Sequence, residues 1–259
     1  MLIFKSLRRE YFMYWTKLLK TIFSISLIII GLIFSITTKS LAIPTLQLDI
    51  GGGVYDTTTE TIIATGNTFT LYAFLIQDKY NLLSDTYFIS AAIAPKVGSA
   101  GADLGSFTFN GTNINATSDM TYGVPPLEAI ASLQGWDSGD LPKHGIFPTY
   151  FSEFGFSFNS ANQINPYNTQ DRAISGGSTS MSGRGMYYAA LTIDTSLLDT
   201  DYTIHFDLYN TKLKRGGDID VTQFAPFSHD AQSAAVPEPA TVLLLGSGLI
   251  GIWALRKFV

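Results

Sequence analysis

YTIHFDLYN, residues 202–210, decides the fold. Tyr202, Ile204, Phe206 and Leu208 fall on one side of an alternating pattern, and Thr203, His205, Asp207 and Tyr209 on the other. A period of two places one face of a pleated strand against a core and turns the other away. SEFGFSF, residues 152–158, repeats the pattern with Phe154, Phe156 and Phe158. Further strands are expected at residues 46–50, 58–64, 69–76, 86–94, 106–109, 187–193 and 219–224, all rich in Thr, Tyr, Phe, Ile and Val. Gly, Asn, Asp and Pro separate them, as turn chemistry requires. The body shows no four-turn helical stripe, and residues 127–133, after Pro125 and Pro126, are the best short-helix candidate. Many short strands with turns between them predict an all-β chain folded as a single, jelly-roll-like β-sandwich. The sandwich is expected over residues 43–227. The polar, Gly/Ser-rich stretch 159–185 reads as a long surface loop, and residues 228–236 as a linker.

Outside this body the chain changes character. It has 259 residues and a net charge of −5, but residues 43–235 hold 8 Lys+Arg against 19 Asp+Glu, a net of −11. Half of the basic residues therefore sit in the two ends. An acidic body argues against nucleic acid as a partner, because phosphate neutralisation needs Lys and Arg. There is no cysteine, which excludes disulfides, zinc–thiolate sites, iron–sulfur clusters and cysteine nucleophiles. Such a domain must be held by packing alone or by packing with metal ions.

The N-terminal end, residues 1–42, reads as a signal peptide. Lys5, Arg8, Arg9, Lys17 and Lys20 form a basic leader, residues 22–36 are almost wholly apolar, and Ser40-Leu41-Ala42 supplies small residues for a cut after Ala42. A retained membrane anchor is the alternative. Either reading routes the chain through the Sec export machinery, the first also through signal peptidase. At the other end, VPEPATVLLLGSGLIGIWALRK, residues 236–257, joins a Pro-Glu-Pro triplet, an apolar run and a basic stop. The run over residues 241–255 is shorter than the ~20 residues of a comfortable membrane-spanning helix. Arg256 and Lys257 would remain cytoplasmic, and a plain tail anchor is the simpler alternative.

Pro237-Glu238-Pro239, the apolar run and Arg256-Lys257 resemble, in order and at the chain end, the tripartite PEP-CTERM sorting signal, taken here as residues 237–259. That resemblance implies a Gram-negative bacterium that makes exopolysaccharide, and exosortase as the partner that recognises the triplet and removes the helix. It also implies a transient inner-membrane anchor before release to the cell surface or extracellular matrix. The body resembles the exported choice-of-anchor domains, type N, in DMTYG (residues 119–123), HGIFPTY (144–150), IHFDLY (204–209) and FAPFSHD (224–230). That resemblance implies no catalytic residues.

Candidate sites each have a plainer reading. His144, His205 and His229 could together bind zinc, since three imidazoles leave a position for water, but each is also a natural hydrogen-bonded structural residue. Lys143, Asp207 and Asp230 are their polar neighbours. Asp194, Asp199 and Asp201, and separately Asp218 and Asp220, could supply oxygen ligands to calcium; solvated turn chemistry is the default reading for them. Trp136, in the turn-like GWDSGD, is a candidate sugar-stacking platform. Glu153 would be a perturbed acid if it pointed inward, whereas the alternation favours solvent. The expectation is a non-enzymatic surface or matrix protein that needs no cofactor, calcium being the one ion it could take, and with exopolysaccharide as a contact. The alternatives are a secreted glycan hydrolase, with Glu153 or an aspartate as acid/base, and a calcium-stabilised adhesion module.

Overall fold

The computed structural model describes residues 42–125, 148–178, 180–210 and 224–234. The chain divides into two compact units, residues 1–42 and 43–259, and every described strand lies in the second. In chain order these are β1 (Leu46–Ile50), β2 (Val54–Asp56), β3 (Thr61–Ile63), β4 (Thr68–Leu75), β5 (Tyr87–Ala94), β6 (Ser106–Phe109) and β7 (Thr112–Asn115). There follow β8 (Thr121–Gly123), β9 (Thr149–Phe156), β10 (Gln163–Ile164), helix α1 (Thr169–Ser175), β11 (Met186–Asp194), β12 (Thr203–Asn210) and β13 (Asp230–Gln232).

Two sheets form. The first runs β1-β4-β11-β6-β7, with β10 added against β11; the second runs β2-β3-β13-β12-β5-β9-β8. The alternation that predicted the strands also fills the space between them. Leu48, Ile50, Leu71, Ala73 and Ile193 of the first sheet share one buried cluster with Ile89, Ile93, Ile204, Phe206 and Leu208 of the second. Phe69 meets Phe206 edge to face at 6.2 Å between ring centroids, a favoured aromatic geometry. The fold is all-β and two-sheeted, as the periodicity predicts.

The outer faces are less simple. Every residue of β1 and seven of the eight in β12 are buried, so each sheet carries a second buried layer behind the core. The stretch read as a surface loop, residues 159–185, instead supplies that layer for the first sheet. Ile164 packs with Phe74 and Met186, backed by Tyr167 and Tyr188. Asn168 caps α1 by accepting the Asp171 N–H, and Gly176 ends the helix at φ 66°, the left-handed conformation glycine adopts without strain. The stretch has few apolar residues; Ile164 and Ala173 are buried, while Ile174 and Met181 stay exposed.

The linker reading is also corrected. A 3-10 turn (Phe227–His229) leads into β13, which lies between β3, in parallel, and β12, antiparallel. Ser233 follows, buried, with its N–H on Ile204 O at 2.9 Å and its Oγ accepting the Ile204 N–H at 2.9 Å. Pairing on both sides places residues 230–232 within the second sheet. Among the described residues no helix is long and apolar enough to cross a membrane. The short helix expected at 127–133 and residues 219–223 of the last expected strand lie outside the described residues.

Candidate metal centre

The alternation of β12 puts His205, Asp207 and Tyr209 on the face opposite the core. The register fixes what meets them. His205 lies across from Gln232 and Phe206 from Ala231, so Asp207 falls opposite Asp230. On its other side Asp207 pairs with Ser90 of β5, and Ser90 pairs with Glu153 of β9. Directly opposed residues share a face. One polar row, Glu153–Ser90–Asp207–Asp230, therefore crosses four adjacent strands.

His205, Asp207 and Asp230 converge. His205 Nε2 stands 3.7 Å from Asp207 Oδ1 and 3.8 Å from Asp230 Oδ2. One ligand-type atom from each residue lies within 4.8 Å of the others. His205 is 4% exposed and both carboxylates 0%, and His205 Nε2 makes no hydrogen bond among the described residues. Ser90 Oγ donates weakly to Asp207 Oδ2 at 3.4 Å. Burial alone pulls the His205 imidazole down, but the carboxylates of Asp207 and then Asp230 outweigh it and push it up to about 10. Chemically the cluster is one imidazole nitrogen and two carboxylates, all buried.

Further along the row, the Tyr209 hydroxyl donates to Glu153 Oε1. Burial, only partly offset by this bond, pushes the Glu153 carboxyl up to about 7. Glu153 thus points to the covered face rather than to solvent. Tyr209 is clasped between Phe88, stacked at 5.8 Å, and Phe224, at 5.3 Å.

The other expected ligands are placed differently. His229 Nε2 lies 3.1 Å from Asn168 Oδ1, and Nδ1 lies 2.9 Å from Ser228 Oγ. An amide oxygen only accepts, so Nε2 carries the proton and Nδ1 accepts from the serine. Burial pulls this ring down to about 4, which leaves it neutral. Asp194 Oδ1 accepts the Ser196 N–H at 2.9 Å, and Asp199 Oδ1 the Asp201 N–H at 3.5 Å. These aspartates hold turns. Trp136, His144, Asp218, Asp220, Pro237, Glu238, Pro239, Arg256 and Lys257 lie outside the described residues. Ala42 is described and exposed.

Sequence reasoning missed a second buried polar device, on the first sheet. Arg172 of α1 grips Asp49 of β1 through Nε, at 2.9 Å from Oδ2, and through Nη2 on Oδ1. Its remaining donors reach Gly53 O and Ile50 O, each at 3.2 Å. Tyr167 Oη and the Ile50 N–H complete the Asp49 shell at 2.9 and 2.8 Å. The available signal was Asn168 and Gly176 bracketing seven helix-compatible residues.

Residues 235–257 match the PEP-CTERM protein-sorting motif. The chain is therefore an exosortase-sorted, exported protein with a C-terminus held transiently in a membrane. No curated protein matches it. The motif begins at the first residue past the described end of the sandwich, and Asp230 stands five positions before it.

Proposed function

We propose that this protein is a non-catalytic surface or extracellular-matrix component whose β-sandwich contacts exopolysaccharide after exosortase has removed the tail. The observation that carries the reading is the sorting motif that follows, in the chain, the last described strand of a two-sheet, disulfide-free domain. The exposed Ala42 and Ile43 suit signal-peptide removal at that junction. The resemblance to choice-of-anchor domains agrees with a body that varies while its anchor is shared. The test is expression of the full chain, wild type and Pro237→Ala/Glu238→Ala, in an exosortase-bearing host. The wild type should lose its tail and co-sediment with the host's purified exopolysaccharide. The variant should keep its tail and stay in the membrane fraction. A processed protein that leaves the polysaccharide in a separate fraction would remove the contact and keep the sorting.

One observation favours a second reading, a glycan hydrolase. Glu153, with its carboxyl near 7, could act as a general acid, and Asp207 stands two strands away, ~10 Å by strand spacing, near the upper limit for an inverting pair. Release of reducing sugar by the wild type, lost in Glu153→Gln, would establish that reading.

A further inference from the structure

We propose that His205, Asp207 and Asp230 form a binding site for one divalent transition ion of the zinc type, which clamps β13 to β12. This goes beyond the surface role, because the site would operate whatever the extracellular partner.

Two features argue for an ion. First, His205 Nε2 is aimed between two carboxylates yet bonds to neither. A buried ring nitrogen without a partner is costly, more so next to charge. Second, the spacing is wrong for direct hydrogen bonds. Charged N–H···O contacts close to ~2.8 Å, whereas these stand at 3.7 and 3.8 Å. Two ligands on one tetrahedral zinc, each ~2.1 Å from it, lie roughly 3.4 Å apart, close to the observed separations.

The donor set also selects the ion. One imidazole and two carboxylates suit zinc and its neighbours. Calcium requires 6–8 oxygens, which this cluster does not present. The three protein ligands leave a fourth position for water.

The location gives the ion a mechanical role. β13 has three residues, too short to hold much by ladder bonds alone. It is also the last described strand before the sorting motif at residues 235–257. An ion shared by β12 and β13 would fasten the point where the tail leaves the sandwich.

The experiment uses the full chain without a histidine tag, in detergent. It measures metal content by mass spectrometry and thermal unfolding after EDTA, then with zinc or calcium restored. We expect about one zinc per chain, and a midpoint raised by roughly 5–10 °C when zinc stands at a hundred times its dissociation constant. Calcium should not restore it, and His205→Gln should lose both the ion and the shift. Should His205→Gln fail to fold, Asp230→Asn takes its place. Should both fail, cobalt(II) loaded into the wild type decides: intense visible bands of a four-coordinate site support the proposal, and their absence overturns it. A metal-free chain indifferent to EDTA and zinc, or a zinc response undiminished in His205→Gln, would overturn it as well. Calcium acting as well as zinc would do the same.

Discussion

The two sheets each bury charge on the face away from the core, and they do it in opposite ways. On the first, Arg172 and Asp49 close on each other, and the surrounding donors and acceptors complete both shells. On the second, His205 faces two aspartates across gaps too long for hydrogen bonds. A planar guanidinium matches a carboxylate bidentately and needs no third party. The imidazole nitrogen of His205 closes on neither carboxylate. The comparison separates a buried charge that only supports the fold from one whose geometry leaves room for an ion.

The largest expected effect tests the closed member. Arg172→Ala strips the buried Asp49 carboxylate of its counter-charge and should cost about 3–5 kcal/mol in chemical denaturation. A loss below about 1 kcal/mol would show that the first sheet does not depend on this pair, and the contrast would collapse.

A smaller effect concerns the polar row beside the open member. Glu153 is raised to about 7 in the folded chain from 4.5. Its contribution is fully present below pH 4.5, where both states hold the proton. It is lost as pH rises to about 7, because the unfolded chain ionises first. Glu153→Gln keeps an acceptor for the Tyr209 hydroxyl and removes the titration. At pH 8 the variant should be the more stable, by roughly 2–3 kcal/mol, with the two nearly equal at pH 4. Parallel pH curves would place Glu153 in water and shorten the buried row.

The smallest effect lies on the surface. Asp194→Asn should change stability by no more than about 0.5 kcal/mol, because Asp194 serves a solvent-facing turn. Calcium should leave the unfolding midpoint of wild type and variant alike. A calcium shift lost in Asp194→Asn would move a metal site to the turns and sharpen the contrast between buried and exposed acids.

The strands were legible where the pattern was long. Residues 46–50 and 106–109 were bounded as they occur, and the strands at 69–76, 86–94, 187–193 and 202–210 within a residue or two at each end. Short elements escaped. DAQ in β13 has three residues and no period of its own, and its place comes from two neighbours already in the sheet. Helix α1 carries no apolar stripe; its buried Arg172 is paid for by an aspartate 123 positions away. At the candidate site the residue types were legible, since Asp207 and Asp230 were recognised as neighbours of histidines. The pairing was not. Asp230 follows His229 in the chain, yet it serves His205, while His229 turns to Asn168.

The sequence by itself determined the route and the class of fold: a sorting motif is read locally, and strand alternation is a local property of the chain. Only the tertiary structure decided which face of each sheet would be covered and which ionisable groups would meet there. Those meetings depend on the register between β12 and β13, whose facing residues are more than twenty positions apart in the chain. Ladder hydrogen bonds and burial set that register, and no local pattern encodes it.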